Sequence, residues 1–106
     1  MVVKVKEQKI VNRIEVQTNP EYGCKPEDRS VEGLLDLGLV ILNKPQGPTS
    51  HQVADSVKHV IGVKKCGHSG TLDPNVTGIL VVALGRGTRA VDVLLKSGKE
   101  YVCLMK

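Results

Sequence analysis

Residues 67–84 read GHSGTLDPNVTGILVVAL, a glycine-rich loop that leads into an apolar run. The run 79–84 has the length and aliphatic composition of a buried β-strand. The loop contains one acid, Asp73, and Pro74 biases that acid toward extended backbone geometry. Acids in surface loops are usually just solvated, but glycine lets a backbone approach a ligand closely, and loops on a rigid scaffold often carry catalytic groups. This stretch therefore predicts a buried strand with a candidate functional acid before it.

Strand-like and helix-like segments alternate through most of the chain. In order, we predict a strand at 38–43, a helix from 49 or 50 to 62, a loop at 63–77, the strand at 79–84, a turn at 85–87, a helix at 88–97 and a strand at 99–105. This alternation predicts a mixed α/β fold of the α+β kind, with helices packed on a mixed sheet.

The first predicted helix has signals at both ends. Thr49 or Ser50 can cap its start, and Gly62 is a plausible stop. Apolar side chains at helical spacing form one face of each predicted helix: Val53, Val57, Val60 and Ile61 in the first, and Val91, Leu94 and Leu95 in the second, which Gly98 would end.

The amino-terminal third has weaker patterns. Val3 and Val5 alternate as in a short strand, and residues 18–33 are polar and rich in turn formers, as in an extended arm. We therefore divide the chain into an amino-terminal arm, residues 1–33, and a packed part, residues 34–106.

Composition indicates a single domain, and the uneven charge is compatible with a polyanionic partner. The chain has 106 residues, neither Phe nor Trp, and two tyrosines, Tyr22 and Tyr101. Residues 1–43 contain six Lys or Arg and seven Asp or Glu, whereas residues 44–106 contain nine and four. Positive charge beside a candidate site suits a nucleic acid, although an ordinary basic surface also explains a net charge of this size.

Cysteine usage and hydropathy favour the cytoplasm. The three cysteines, Cys24, Cys66 and Cys103, are widely spaced and include no C-x-x-C pair, so we expect no zinc site. The sequence has neither a signal peptide nor a long apolar segment, so we expect a reducing compartment and no membrane association.

Several motifs together resemble a known family. In order and spacing, residues 43–50 (NKPQGPTS) and 67–74 (GHSGTLDP) resemble the TruB family of RNA pseudouridine synthases. Residues 22–29 (YGCKPEDR) and 99–102 (KEYV) look like the guide-RNA-dependent branch, dyskerin and its archaeal homologues. The resemblance runs from about Tyr22 to the last residue, and a pattern this long is highly specific.

The resemblance implies that Asp73 is the catalytic aspartate of a uridine isomerase. The reaction breaks the N-glycosidic bond, turns the base and rejoins it through carbon, without a metal or organic cofactor. Whether Asp73 attacks the sugar or removes a proton from it stays open. By its position in KEYV, Tyr101 would stack on the flipped base; the alternative is a half-buried tyrosine in a core strand.

The resemblance also implies roles for other residues around the acid. His68 would help to occupy the space left by the flipped base; the alternative is a loop histidine that hydrogen-bonds to backbone. The pair Gly70 and Thr71 belongs to the same substrate-binding motif. Lys44 could contact phosphate or brace the catalytic loop, and the turn chemistry around it favours bracing.

The family implies more chain than is present here. Residues 34–106 would be the amino-terminal part of a catalytic domain. The arginine that pairs with the aspartate, the rest of the sheet and an RNA-binding PUA domain would lie beyond Lys106, so we expect this chain alone to be inactive or nearly so. The implied partners are a box H/ACA guide RNA, the substrate RNA and the small core proteins of the H/ACA ribonucleoprotein.

Three alternatives remain open at this point. Residues 85–90 (GRGTRA) fit the G-x-G-x-x-A form of a dinucleotide-binding turn, although a plain strand-to-helix connection explains them better. A non-catalytic RNA-binding or assembly module would share the basic face and the base pocket. A stand-alone tRNA pseudouridine synthase would act without a guide.

Overall fold

The computed structural model describes residues 19–106, and its central element is a three-stranded antiparallel sheet. The strands are β1 (Leu39–Lys44), β2 (Cys66–His68) and β3 (Gly78–Leu84), in the order β1-β3-β2. Helices α1 (Val31–Asp36), α2 (Ser50–Ile61) and α3 (Val91–Leu95) accompany two short 3-10 helices, Pro26–Asp28 and Gly85–Ala90. The predicted α+β class is confirmed, but the sheet formed by the described strands is antiparallel and not mixed as predicted. The strand predicted at Val3 and Val5 lies outside the described residues.

Helix α2 forms because its two ends and its apolar face agree. Thr49 and Gln52 make a reciprocal capping box at the start, and Gly62 ends the helix in the left-handed conformation (φ 78°). Ala54 packs against Leu80 and Val82 of the central strand. Val53, Val57 and Ile61 of the predicted face also pack against this core, whereas Val60 does not and is 87% exposed.

Strand β3 is the centre of the core because it has a partner on each side. Leu42 of β1 pairs with Leu80, and His68 of β2 pairs with Val82. One face of the sheet packs against α2, while on the opposite face Ile41 and Ile79 remain exposed. The strand predictions at 38–43 and 79–84 are confirmed within one residue, and the predicted loop 63–77 contains the short strand β2.

The prediction was wrong for the last third of the chain in two places. Residues 99–105 are not a strand: they have no assigned secondary structure, and Val102 is 97% exposed. Backbone groups of a strand need a neighbouring strand, and none of the three described strands pairs with this segment. The helix expected at 88–97 is divided between the 3-10 helix Gly85–Ala90 and the short α3.

The expected arm contains more structure than its turn-rich sequence indicated. The side chain of Ser30 accepts a hydrogen bond from the N–H of Gly33 and so caps α1.

The 3-10 helix at 85–90 follows a strand that is antiparallel to both neighbours. A dinucleotide-binding turn requires parallel strands, so residues 85–90 are a strand-to-helix connection. No helix within residues 19–106 is long and apolar enough to cross a membrane.

Candidate functional site

Asp73 lies in the loop that joins β2 to β3, with its side chain exposed to solvent. Its carbonyl oxygen accepts a hydrogen bond from the N–H of Val76 at 3.1 Å, so the chain turns directly after the acid. Leu72, just before the acid, is half-buried, and its Cδ1 atom lies over Gly78 at the start of β3. The loop therefore presents a solvent-accessible carboxylate, while the residue before it lies against the first residue of the central strand.

Lys44 holds the part of the loop that follows Asp73. Its side chain is completely buried, and its Nζ atom donates hydrogen bonds to the carbonyl oxygens of Pro45 (2.8 Å), Pro74 (3.2 Å) and Val76 (3.0 Å). An ammonium group has three donors, and three carbonyl groups accept from it here. These contacts are the ones expected for bracing the loop, the role that the turn chemistry around Lys44 favoured.

Ser50 holds the part of the loop that precedes Asp73. Its buried Oγ accepts a hydrogen bond from the N–H of Leu72 at 2.8 Å and lies 3.2 Å from the carbonyl oxygen of Leu72, to which it donates. The N–H of Gly47 donates to the carbonyl oxygen of Pro74 at 2.8 Å. Both neighbours of Asp73 are thus held by residues 44–50, so the backbone at the acid is fixed from two sides.

His68 lies at the end of β2, where its Nδ1 is 2.7 Å from the carbonyl oxygen of Gly70. A carbonyl can only accept, so this contact places a proton on Nδ1 and leaves Nε2 of a neutral ring as an acceptor. A backbone carbonyl therefore orients the half-buried imidazole, as in the alternative of a histidine that hydrogen-bonds to backbone. The free Nε2 is compatible with a further contact to a ligand.

Tyr101 is 73% exposed and belongs to no strand. The structure therefore does not support the alternative of a core strand tyrosine. Lys99, two residues earlier, lies beside Gly70: a Cβ atom built on that glycine would be 3.7 Å from Cε of Lys99. The segment that carries Tyr101 accordingly starts next to the Asp73 loop. Thr71, also exposed, precedes the acid by two residues.

The structure brings most of the predicted site residues into one region. Gly70, Thr71 and Asp73 lie in the loop from β2 to β3. His68 ends β2 and contacts Gly70, Lys44 ends β1 and contacts Pro74, and Tyr101 follows a residue that lies beside Gly70. Sequence reasoning missed the loop contacts of Ser50 and Gly47. The signal for Ser50 was the pair Thr49-Ser50: only one hydroxyl can cap the helix, so the other is available for a different contact.

Arg86 and Arg89, in the 3-10 helix after β3, lie away from Asp73. Arg86 forms an ion pair with Asp36 of α1, and its hydrogen bond holds the pKa of that carboxyl below the ordinary value of 3.8. Within residues 19–106, the ion pairs are this one and His59–Asp55, so Asp73 has no cationic partner in the described part of the chain.

Two family models match this chain in succession. The model of the DKCLD (NUC011) domain matches residues 3–54, and the model of the N-terminal domain of the TruB family of pseudouridylate synthases matches residues 58–106. The second match contains Asp73, His68 and Tyr101, and the first contains Lys44 and Ser50.

Curated archaeal proteins are similar over nearly the whole chain. A protein named "Probable tRNA pseudouridine synthase B" from Methanopyrus kandleri is 47% identical over 100 residues, which is 94% of this chain and 30% of that protein. A protein of the same name from Methanothermobacter thermautotrophicus is 52% identical over 92 residues, 87% of this chain and 28% of that protein. The chain thus spans about 30% of the length of the curated relatives it matches.

Solved structures show the same fold. The chain is similar to a chain of an H/ACA RNP bound to a substrate RNA containing 2'-deoxyuridine and to one of the archaeal box H/ACA sRNP Nop10-Cbf5 complex. Each match has a TM-score of 0.69 at 48% identity and covers 74% of this chain and 25% of the other. These similarities confirm the resemblance read from residues 43–50 and 67–74: the chain belongs to the TruB family of pseudouridylate synthases.

Proposed function

We propose that this chain is the amino-terminal part of an RNA pseudouridine synthase that isomerises uridine in ribosomal RNA under the direction of a box H/ACA guide RNA. The observation that carries the proposal is the double attachment of the Asp73 loop, by Lys44 after the acid and by Ser50 before it. A catalytic carboxylate must be accessible and must also be held in one place, and Asp73 meets both conditions.

The proposed reaction exchanges one bond at C1′ for another, transfers protons and keeps the detached base in place. The bond from C1′ to N1 of the uridine breaks, the uracil turns, and C1′ bonds to C5. The C5 hydrogen leaves to water and N1 gains a proton, so the product is an isomer of the substrate. Asp73 either attacks the sugar or removes a proton from it. Tyr101 supports the flipped base, with stacking worth about 1–3 kcal/mol, and His68 with Gly70 and Thr71 lines the space around it.

We propose the same domain division and partners as the sequence indicated. Residues 1–33 are an arm, and residues 34–106 are the first part of a catalytic domain whose remainder supplies an arginine for Asp73. Guide RNA, substrate RNA and small core proteins of the ribonucleoprotein are the partners, and the assembly acts in the cytoplasm. In support, the similar solved chains come from an H/ACA RNP bound to a substrate RNA and from a Cbf5-Nop10-Gar1 complex.

Transfer RNA is a second candidate substrate, because the similar curated proteins carry the name tRNA pseudouridine synthase B. The two candidates differ in their need for a guide. A transfer RNA would be recognised by its own fold, whereas a guided substrate is selected by base pairing, so a reaction without guide RNA favours the second candidate.

The test is tritium release from RNA labelled at uridine C5. The protein containing this chain is incubated with guide and target RNA, and separately with transfer RNA alone. Wild type should release tritium and Asp73→Asn should release none, while Asp92→Asn, an exposed acid outside the site, should match wild type. Absence of release from folded wild type with either RNA would reject the synthase and leave a non-catalytic RNA-binding module. The 106-residue chain alone should be inactive.

A further inference from the structure

A concave surface lies at the opposite end of the central strand from Asp73. It is a cleft of about 510 Å³ between α1, the connection from α2 to β2, and the 3-10 helix after β3. Asp73 is five residues before the start of β3, and the cleft begins at Gly85, just after its end. At roughly 3.3 Å per residue, the strand separates the two by about 20 Å, so the cleft is distinct from the proposed active site.

Positive charge dominates this cleft. Four cationic side chains line it, from Lys64, Lys65, Arg86 and Arg89, against two carboxylates, Glu32 and Asp36. Asp36 is already paired with Arg86. Within residues 19–106 no ion pair involves either lysine or Arg89, so three cations face one opposing carboxylate, Glu32. Such a group of unpaired cations in a concavity attracts an anion.

The floor of the cleft is built rigidly. Gly85 has φ 53°, and its N–H donates to the carbonyl oxygen of Lys65 at 2.8 Å. A Cβ atom at this glycine would lie 2.6 Å from the carbonyl oxygen of Asp36, so only glycine fits. The N–H of Arg86 donates to the Asp36 carboxylate, and the hydroxyl of Thr88 donates to the carbonyl oxygen of Gly85. These contacts join the three walls and fix the positions from which the cations project.

The lining favours phosphate over a nucleobase as the ligand group. None of the ten residues that line the cleft is aromatic, so a base would find no ring to stack on. Lysine and arginine are the side chains that bind phosphate in nucleic-acid complexes. The spacing of about 20 Å from Asp73 corresponds to roughly six phosphates along one strand of a helix.

We propose that Lys64, Lys65 and Arg89 form a phosphate-binding cleft that holds the RNA backbone several nucleotides away from the target uridine. The phosphate chemistry follows from the cleft itself, whereas RNA as the source of the phosphates rests on the proposed function. The cleft would contribute affinity and register and would not take part in the chemical step.

The test measures RNA affinity as a function of salt. Fluorescence anisotropy with a labelled 20-nucleotide RNA compares wild type with a double variant, Lys64→Gln and Lys65→Gln. The matched control is Lys25→Gln with Lys96→Gln, which removes the same charge at exposed positions outside the cleft. We expect the cleft variant to weaken binding about 10-fold at 0.1 M salt and to reduce the slope of log K against log salt by about 1.5, with smaller effects in the control.

A variant that should gain affinity makes the test independent of folding defects. Glu32→Gln removes the one unpaired carboxylate of the cleft, so RNA should bind about 2–3-fold more tightly at low salt. Glu27→Gln, an exposed acid outside the cleft, is its control. Equal affinities and slopes in the cleft variants and their controls would overturn the proposal.

Calorimetric titration with inorganic phosphate, AMP and NAD distinguishes the sources of phosphate. Loss of AMP or NAD binding in the cleft variants, with RNA binding at the control level, would assign the cleft to a small nucleotide and overturn the RNA proposal. The tritium-release assay separates the two proposals. If wild type releases tritium but the cleft variants bind RNA as tightly as their controls, the cleft proposal is rejected and the synthase proposal stands. If wild type releases no tritium, the synthase proposal is rejected, and the phosphate titration still tests the cleft.

Discussion

The ammonium group of Lys44 lies 3.2 Å from the carbonyl oxygen of Pro74, although the two residues are 30 apart in sequence. A buried charged group is costly unless its hydrogen bonds are made, and here the surrounding carbonyls are those of the two joined loops. The charge therefore holds the loop after Asp73 against the turn after β1. Packing alone would not specify this arrangement, because an apolar side chain cannot orient three carbonyl groups.

Lys44→Met tests this arrangement. The methionine can fill the space but donates no hydrogen bond, so three carbonyl oxygens lose their donor in a buried place. We expect the free energy of unfolding to fall by about 3 kcal/mol and tritium release to fall in parallel, as measured by urea denaturation and by the release assay. Lys58→Met, at a half-exposed lysine of α2 outside the site, is the control. A loss below about 1 kcal/mol would contradict the bracing role.

Local signals explain which elements the sequence predicts well. Helix α2 has a capping box at Thr49 and a left-handed glycine at Gly62, so each end is determined by neighbouring residues. Lys44 was placed in a bracing turn because prolines and glycine surround it. These features depend on a few adjacent residues, and for that reason they can be predicted without knowing what packs against them.

Contacts between distant residues explain what the sequence does not predict. The attachment of Leu72 to Ser50 spans 22 residues, and nothing in either motif specifies its partner. Residues 99–105 have strand-like composition, but a strand also needs a neighbouring edge, which the three described strands do not offer. Helix α1 was missed because Ser30 caps a segment too short to show an apolar period.

Ser50→Ala should loosen the loop before Asp73 without unfolding α2. The N–H of Leu72 loses its acceptor, and one net hydrogen bond is worth about 1 kcal/mol. We therefore expect the Leu72 amide to exchange with solvent about 5–10-fold faster in hydrogen-exchange NMR. Ser56→Ala is the matched control, because that hydroxyl bonds only to Gln52 within the helix. Unchanged exchange at Leu72 would show that Ser50 does not hold the loop.

Tyr101→Ala should lower activity and leave stability unchanged. The ring is 73% exposed, so its removal leaves no cavity, whereas loss of stacking on a flipped base is worth about 1–3 kcal/mol, or roughly 5–160-fold in kcat/KM. Tyr101→Phe keeps the stacking face and should stay close to wild type, and Tyr22→Ala provides a control at an equally exposed tyrosine. A fall in melting temperature with Tyr101→Ala would instead favour a packing role.

The Asp36–Arg86 pair makes a pH-dependent contribution to stability. The arginine hydrogen bond lowers the pKa of Asp36 below 3.8 in the folded protein, so the folded state binds the proton less readily than the unfolded state. The contribution is fully present above pH 3.8 and is lost as the pH falls through the lowered pKa. Both side chains are substantially exposed, so salt should also weaken it.

Asp36→Asn and Arg86→Gln measure that contribution. Each variant should have a lower melting temperature than wild type at pH 7. The difference in melting temperature should shrink as the pH falls below 3.8, because the wild-type carboxyl then becomes protonated and loses its charge. Thermal unfolding followed by circular dichroism from pH 2.5 to 7, in low and in 1 M salt, gives the comparison, and Asp92→Asn controls for removing a surface acid. A difference that stays constant across this range would mean that the two side chains act through packing at the floor of the cleft and not through the charge of Asp36.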